Sequence, residues 1–515
     1  MFSYFNYILN GTAWESPADR DSVVGFARGF RTTPTNQHRR QSNSVLLFLC
    51  VLQDKTNPLR VMDGIDRVPD SPRGSSRPVE VDASSSSLSS APNSGNHISL
   101  SSVFKDLSVD KEEQAHWVDV CRAYRQYAQF AVKQFGLNHP TRLADLPAPQ
   151  QAVLPKHLQI GSPEFQEQTH HFKDAAIRNQ FALDCILRHA GQPHSQQQQD
   201  THFATDTQFG KVSSVLKSLA RDWSSEGERE RSMAYTPILG ALDTYVPLQK
   251  GTVQKVCVPG AGVGRIACEI AGKGYVVQGN EFSLYMLLAS DYILNGPLGS
   301  GLHISPWLLE TRNVVSAKDQ LRKVLIPDID PSTLASNGKE DSEFSMAAGD
   351  FASIYSAESE SKAWDCVVAC FFLDAVPNVV QYLQVVYHML KPNGVLINLG
   401  PLHWHWSGPS MGLEDNAIED YETRWKHLDS RYMTSIDLTW EDIKQVMLNI
   451  GFELVKESRA PAVYTADSRS LLNTEYRCVH FVARKPATET TKKVRCRLHR
   501  SHTRPTHTNC SLPSE

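Results

Sequence analysis

An apolar strand that runs into a cluster of glycines and emerges as a helix leaves a chain few folds to choose from. Residues 255–281, KVCVPGAGVGRIACEIAGKGYVVQGNE, have that form. Val256, Cys257 and Val258 read as a buried strand that Pro259 ends. Gly260, Gly262 and Gly264 let the backbone turn tightly and approach a ligand with no side chain between. A second apolar run ends at Glu281, where a carboxylate can accept both ribose hydroxyls of a nucleotide-like cofactor. The stretch is a cofactor site, and the open question is which cofactor.

Two glycine patterns overlap here. Gly262-Val263-Gly264-Arg265-Ile266-Ala267 satisfies the loose dinucleotide pattern G-x-G-x-x-A. Gly260-x-Gly262-x-Gly264 is the tighter glycine pattern of S-adenosylmethionine (SAM) methyltransferases. Arg265 decides nothing, because it could serve a pyrophosphate but SAM carries none. The order of later elements decides. A strand at 345–348 leads to Gly349-Asp350-Phe351, whose acidic group suits an adenine amino group. An apolar strand follows at 364–372, then a helix at 379–390, the turn Lys391-Pro392-Asn393-Gly394, and a strand at 395–399. That order resembles a class I methyltransferase; a doubly wound fold for another nucleotide is the alternative.

The whole chain is consistent with a soluble intracellular enzyme. Its 515 residues suggest more than one domain, and 52 basic against 56 acidic residues argue against a nucleic-acid surface. The ten cysteines form no C-x-x-C pair, which fits reduced thiols in the cytoplasm or nucleus. Cys366 and Cys370 lie on one face of a strand and read as packing. The early apolar run 45–52 is too short to span a bilayer and too far from Met1 for an ordinary signal peptide, so no membrane is expected. Without such a signal, the sequons at Asn10 and Asn509 carry no meaning.

Residues 1–110 lack a sustained period and read as disordered, as does the basic tail 487–515. Residues 111–245 read as a helical domain that covers the cofactor cleft. Its helices carry apolar stripes at Val120, Cys121, Tyr124, Ala128 and Ala131, then across 165–189, then at Val212, Val215, Leu216, Leu219 and Trp223. Arg221 lies off the last stripe and can point elsewhere. Residues 246–486 read as the α/β domain, closed by a helix that Thr439 and Asp442 cap and Gly451 ends, with strands at 452–456 and 478–484.

Longer strings narrow the family. Pro259 to Arg265, Gln278-Gly279-Asn280-Glu281-Phe282-Ser283, Gly349-Asp350-Phe351 and Cys370-Phe371-Phe372-Leu373-Asp374 closely resemble carnosine N-methyltransferases. Ile397-Asn398-Leu399-Gly400-Pro401-Leu402 and Ala220-Arg221-Asp222-Trp223-Ser224 resemble the same family, and the likeness spans about 112–486. It implies a Rossmann-like doubly wound α/β sheet with an N-terminal helical domain, SAM as cofactor, and methylation of a carnosine imidazole to give anserine. Gly260, Gly262, Glu281, Asp350, Phe351 and Cys370 are then SAM contacts, with Arg221 at the cofactor's amino-acid end. Ser218 stands where the family carries a glutamine, and the shorter side chain weakens that contact.

For substrate, the resemblance points to Asp374, His405, Tyr464 and Tyr476. A carboxylate such as Asp374 can accept one imidazole N–H, select the tautomer and stabilise the methylated ring. Its competing role is to cap the next helix, and Tyr464 and Tyr476 have loop and edge-strand alternatives. His403 and His405 lack a matching ligand set, so no metal is expected. Residues 407–432 interrupt the family's path as an insertion or a lid. The resemblance allows a homodimer. Alternatives are a methyltransferase for another small molecule or for protein histidine, and an inactive methyltransferase-like scaffold.

Overall fold

A computed structural model describes residues 111–134, 139–192, 202–336, 343–408, 424, 430–464 and 467–487. The expected disorder of 1–110 lies outside these residues, as do nearly all of the 487–515 tail and most of the 407–432 insertion.

Strands β1 (Lys255–Pro259), β2 (Val276–Glu281), β5 (Glu343–Ala348), β6 (Trp364–Cys370), β7 (Leu390–Gly400), β8 (Glu453–Val463) and β9 (Glu475–Arg484) form one sheet in the order β5-β2-β1-β6-β7-β9-β8. The first five in that order run parallel, and β9 and β8 complete the sheet antiparallel. This is the doubly wound sheet with the antiparallel edge expected of a class I methyltransferase. The strand order reverses beside β1, where a crevice opens for a ligand. The separate hairpin of β3 (Leu302–Ile304) and β4 (Val324–Ile326) was not legible, because three-residue strands are too short to display a period.

Alternation along the central strands divides two apolar layers. Val256, Val258, Cys366 and Val368 face one layer, while Cys257, Val367 and Ala369 face the other. Cys370 packs on the same side as Cys366, as expected. The first layer also takes in the N-terminal helices α1 (Lys111–Arg125), α2 (Tyr127–Lys133), α3 (Pro163–His189), α4 (Asp206–Trp223) and α5 (Glu228–Tyr245). These helices therefore share their interior with the sheet. Fully buried Leu216 and Leu219 of α4 each contribute about 1.5–3 kcal/mol relative to exposure. Thr205 starts α4 with a capping box.

Between the strands run α6 (Arg265–Gly272), α7 (Leu284–Asn295), α8 (Phe351–Tyr355) and α9 (Val379–Met389), and α10 (Trp440–Ile450) precedes β8. The expected capping box at Thr439 and Asp442 and the left-handed Gly451 frame α10. The turn at 391–394 falls within β7, where the register to β6 shifts, and Asn393 takes a positive φ. Asn179 of α3 exchanges two hydrogen bonds with the backbone of Ser305, at 2.9 and 2.6 Å, and so pins the helices to the hairpin. Among the described residues no helix is long and apolar enough to cross a membrane.

Candidate active site

The glycine loop follows β1. Gly260 and Gly262 take φ of +63° and +58°, which a side chain would strain. A Cβ on Gly260 would stand 2.9 Å from the Phe372 ring, whereas one on Gly262 would meet nothing within 4 Å. Packing demands the first glycine. The second lies beneath open space, the kind of cradle a bound nucleoside fills.

Glu281 fastens this loop to β2. Its carboxylate, 4 % exposed, accepts the Gly262 N–H at 2.9 Å and the amides of Phe282 and Ser283 at 2.9 and 2.8 Å. A carboxylate offers about four acceptor positions, so the backbone already takes most of them and room for a single further donor remains. The residues before it explain the string Q-G-N-E. Gln278 accepts the Tyr355 hydroxyl at 2.7 Å, and Asn280 donates to the carbonyls of Ala347 and Gly349 at 3.3 and 3.1 Å. A Cβ on Gly279 would stand 2.5 Å from the Met346 sulfur and 2.9 Å from Ala261 Cβ.

Asp350 follows β5 and caps α8, accepting the Ser353 amide at 2.8 Å while its other oxygen accepts the Tyr382 hydroxyl at 2.7 Å. Phe351 is buried, stacks on Tyr382 with 5.7 Å between ring centres, and meets Phe372 edge-on. Across the crevice, Arg221 near the end of α4 gives two parallel hydrogen bonds of 2.7 Å to Asp222. A cavity opens there, lined by Arg221, Gly260, Gly262, Cys370, Phe371 and Tyr464. Ser218 is buried one turn earlier on α4 and is not part of that lining. Burial pushes the Cys370 thiol up to about 12, which makes it an uncharged wall.

Phe371 has φ +52° and Trp404 φ +32°, left-handed conformations that cost an aromatic residue about 1–3 kcal/mol. The Phe371 N–H is held by the Leu399 carbonyl at 2.8 Å. Gly400 lets the two chains approach, since a Cβ there would come within 3.2 Å of Phe371 Cα. The turn carries the chain into Asp374. Its carboxylate is 2 % exposed and accepts the His403 amide at 3.0 Å, while its carbonyl accepts the His405 amide at 2.9 Å. Trp406 adds an indole N–H to the Ala375 carbonyl at 3.0 Å, so 403–406 is strapped across 374–375.

Burial raises Asp374 to about 6, even though backbone amides oppose the shift. Asp374 does not cap α9; Asn378 does, accepting the Gln381 amide at 3.1 Å. Burial, with His403 close by, pushes His405 down to about 4, so its ring is neutral near pH 7. Tyr464 stacks on Phe371 at 5.5 Å between ring centres, and Tyr476 stands edge-on to both rings. Burial raises both phenols, Tyr476 to about 12, so each keeps its proton.

The structure brings part of the expected set together and leaves Ser218, Glu281, Asp350 and Phe351 outside the cavity lining. Gly260, Gly262, Arg221, Cys370 and Tyr464 line the cavity, Tyr464 and Tyr476 pack on Phe371, and Asp374 follows three residues later in the chain. His405 joins through its backbone, and its ring lies 6.2 Å from that of His403. Sequence reasoning did not single out Asp222, Tyr235 or Arg431. The Tyr235 hydroxyl lies 3.4 Å from the Asp222 carboxylate, and the Arg431 guanidinium covers both Trp406 and Phe282, at 4.0 and 5.2 Å. The juxtaposed opposite charges of Arg221 and Asp222 were the available signal for the first of these.

A family described as carnosine N-methyltransferase matches residues 198–487. The chain is 34 % identical over 426 residues to a carnosine N-methyltransferase of Mus musculus, which covers 80 % of this chain and 96 % of that one. The counterpart of Rattus norvegicus has the same identity and coverage. One from Schizosaccharomyces pombe is 37 % identical over 277 residues, 53 % of this chain and 70 % of that one.

Proposed function

We propose roles for the residues of this cleft from one premise: the chain belongs to the carnosine N-methyltransferase family. It is a SAM-dependent N-methyltransferase that methylates the imidazole of carnosine, giving anserine. The observation that supports these roles best is the short run of chain from the cavity wall to Asp374. Cys370 and Phe371 line the cavity under Arg221, and three residues later Asp374 lies buried with its carboxylate on the His403 amide.

The glycine loop and Glu281 hold the adenosine part, with Glu281 accepting a ribose hydroxyl and Phe351 and Asp350 flanking the base. Arg221 holds the cofactor's carboxylate; Asp222 takes two of its five donors and fixes the plane of the guanidinium. Bound SAM supplies a methyl group on a positively charged sulfur. A neutral imidazole offers one nitrogen with a lone pair and one carrying a proton. Asp374 accepts that N–H and so selects the tautomer whose lone pair faces the methyl group. With a value of about 6, Asp374 is ionised at neutral pH and basic enough to take the proton as charge develops on the ring. Tyr464, Tyr476 and neutral His405 orient the remainder of the dipeptide by hydrogen bonds and exclude water.

Residues 111–245 serve as the cover of the cofactor cleft through Arg221. The reading takes a free histidine-containing dipeptide as partner, with no nucleic acid or membrane, and a homodimer as the assembly that resemblance allows. The described cysteines are all free, which supports a cytoplasmic or nuclear site.

The deciding assay incubates the chain with labelled SAM and a panel of carnosine, homocarnosine, Gly-His, free histidine and a histidine-bearing protein. Label on the dipeptides supports the reading. Label on the protein alone overturns the substrate, and no uptake of SAM by folded chain overturns the enzyme.

A further inference from the structure

We infer that Asp328 is a positioning residue for cofactor binding, the bridge that sets Arg221 at a fixed place relative to the glycine loop. The inference rests on the role of Arg221 proposed above. The last four carbonyls of an α-helix have no partner within the helix. On α4 these are Ala220, Arg221, Asp222 and Trp223, and each is met from a different place. The Ser224 hydroxyl donates to Ala220 at 2.5 Å and Arg231 of α5 to Arg221 at 2.6 Å. Arg265, the first residue of α6, donates to Asp222 at 3.1 Å, and the Asp328 amide donates to Trp223 at 3.0 Å.

The two arginines are not independent. Asp328 accepts Arg231 on one oxygen at 2.9 Å and Arg265 on the other at 2.6 Å. Both arginine side chains are buried, 7 % and 8 % exposed; Asp328 pairs with Arg231, while Arg265 divides its charge between Asp328 and Glu269, the latter at 2.9 Å. Two cations at a helix C-terminus also complement its dipole. Arg265 further lies over the Trp223 ring at 4.9 Å, and the Trp223 indole donates to the Val263 carbonyl inside the glycine loop at 2.9 Å. One carboxylate thus joins the helix that carries Arg221 to the loop that carries Gly260 and Gly262. Gly227 makes the approach of α5 possible, since a Cβ there would fall 1.9 Å from the Arg221 carbonyl oxygen.

The test is a double-mutant cycle on the full chain, with SAM affinity read by calorimetry for wild type, Asp328→Asn, Arg221→Ala and the pair. Asp328→Asn should weaken SAM about tenfold or more in the wild-type background and less than about twofold once Arg221 is gone. The KM for the dipeptide should stay within about twofold, and the cofactor-free variant should still melt cooperatively. Equal losses in both backgrounds, or wild-type affinity in Asp328→Asn, overturn the inference. If Asp328→Asn does not melt cooperatively, Arg231→Lys, which keeps the charge and gives up the paired donors, is judged by the same cycle. Wild-type chain that binds no SAM overturns the proposed function itself, and this inference with it.

Discussion

The amide of Gly262 donates to the Glu281 carboxylate at 2.9 Å, so the glycine loop and the residue proposed to hold the ribose are one hydrogen-bonded unit. An amide at 281 would turn an NH2 group toward one of three backbone donors. Glu281→Gln should therefore weaken SAM binding about 10- to 100-fold and lower the melting temperature, because a buried donor is left unmet. Calorimetry and a thermal melt on the same preparation check both parts. Unaltered affinity would remove Glu281 from the site.

In the proposed roles Asp374 meets the substrate ring and makes no contact with the cofactor. Asp374→Asn should cut turnover about 10²- to 10⁴-fold while SAM affinity stays within about threefold. The carboxylate titrates near 6, and below that pH it donates a proton instead of accepting one. At saturating substrate, turnover should fall as pH drops through 6. A variant with wild-type turnover refutes the role.

His405 and His480 are both pushed down to about 4 by burial. Unfolded imidazoles take up protons below about 6.5, so between 6.5 and 4 the unfolded chain binds more protons than the folded one. Stability contributed by the neutral rings is therefore lost as pH falls across that window. Asp374 acts with the opposite sign below 6, since its folded form takes up a proton earlier than the unfolded form. Replacing His480, which hydrogen-bonds Ser458 at 3.3 Å, by Asn should flatten the acid slope of urea midpoints measured from pH 7 to 5. An identical slope in the variant contradicts the assignment.

Gly279→Ala tests how the sheet supports the loop. The new methyl group would strike Met346 and Ala261, and Ala261 belongs to the glycine turn. A loss of about 1–3 kcal/mol in stability is expected, together with weaker SAM binding. Destabilisation without any change in affinity would show that the turn is insulated from β2.

The parts legible in the sequence are those written in consecutive residues. β1, the glycine turn, β2 and the capped helix α10 each carry their cause within a dozen positions, and all appear where expected. Helix α5 was missed because Pro237 interrupts its pattern, although the helix continues through it. β8 and β9 extend beyond the spans read from the sequence because most of the added residues alternate between exposed and half-buried and form no apolar run. Of the site, the glycine turn, Glu281 and Asp350 were read from the residues themselves, and Arg221, Phe351, Cys370 and the substrate residues came from motif resemblance. Residues proposed to hold them in place from elsewhere in the chain, Arg231 and Asp328, were not legible. Ion pairs between positions about a hundred residues apart leave no local periodicity to read.

Helix α4 shows Arg221 to the crevice on one side and fills the same apolar layer as β1 on the other. Trimming the chain to start at its first strand would therefore not produce a minimal catalyst. It would strip an oily flank bare, and the remnant should precipitate rather than dissolve.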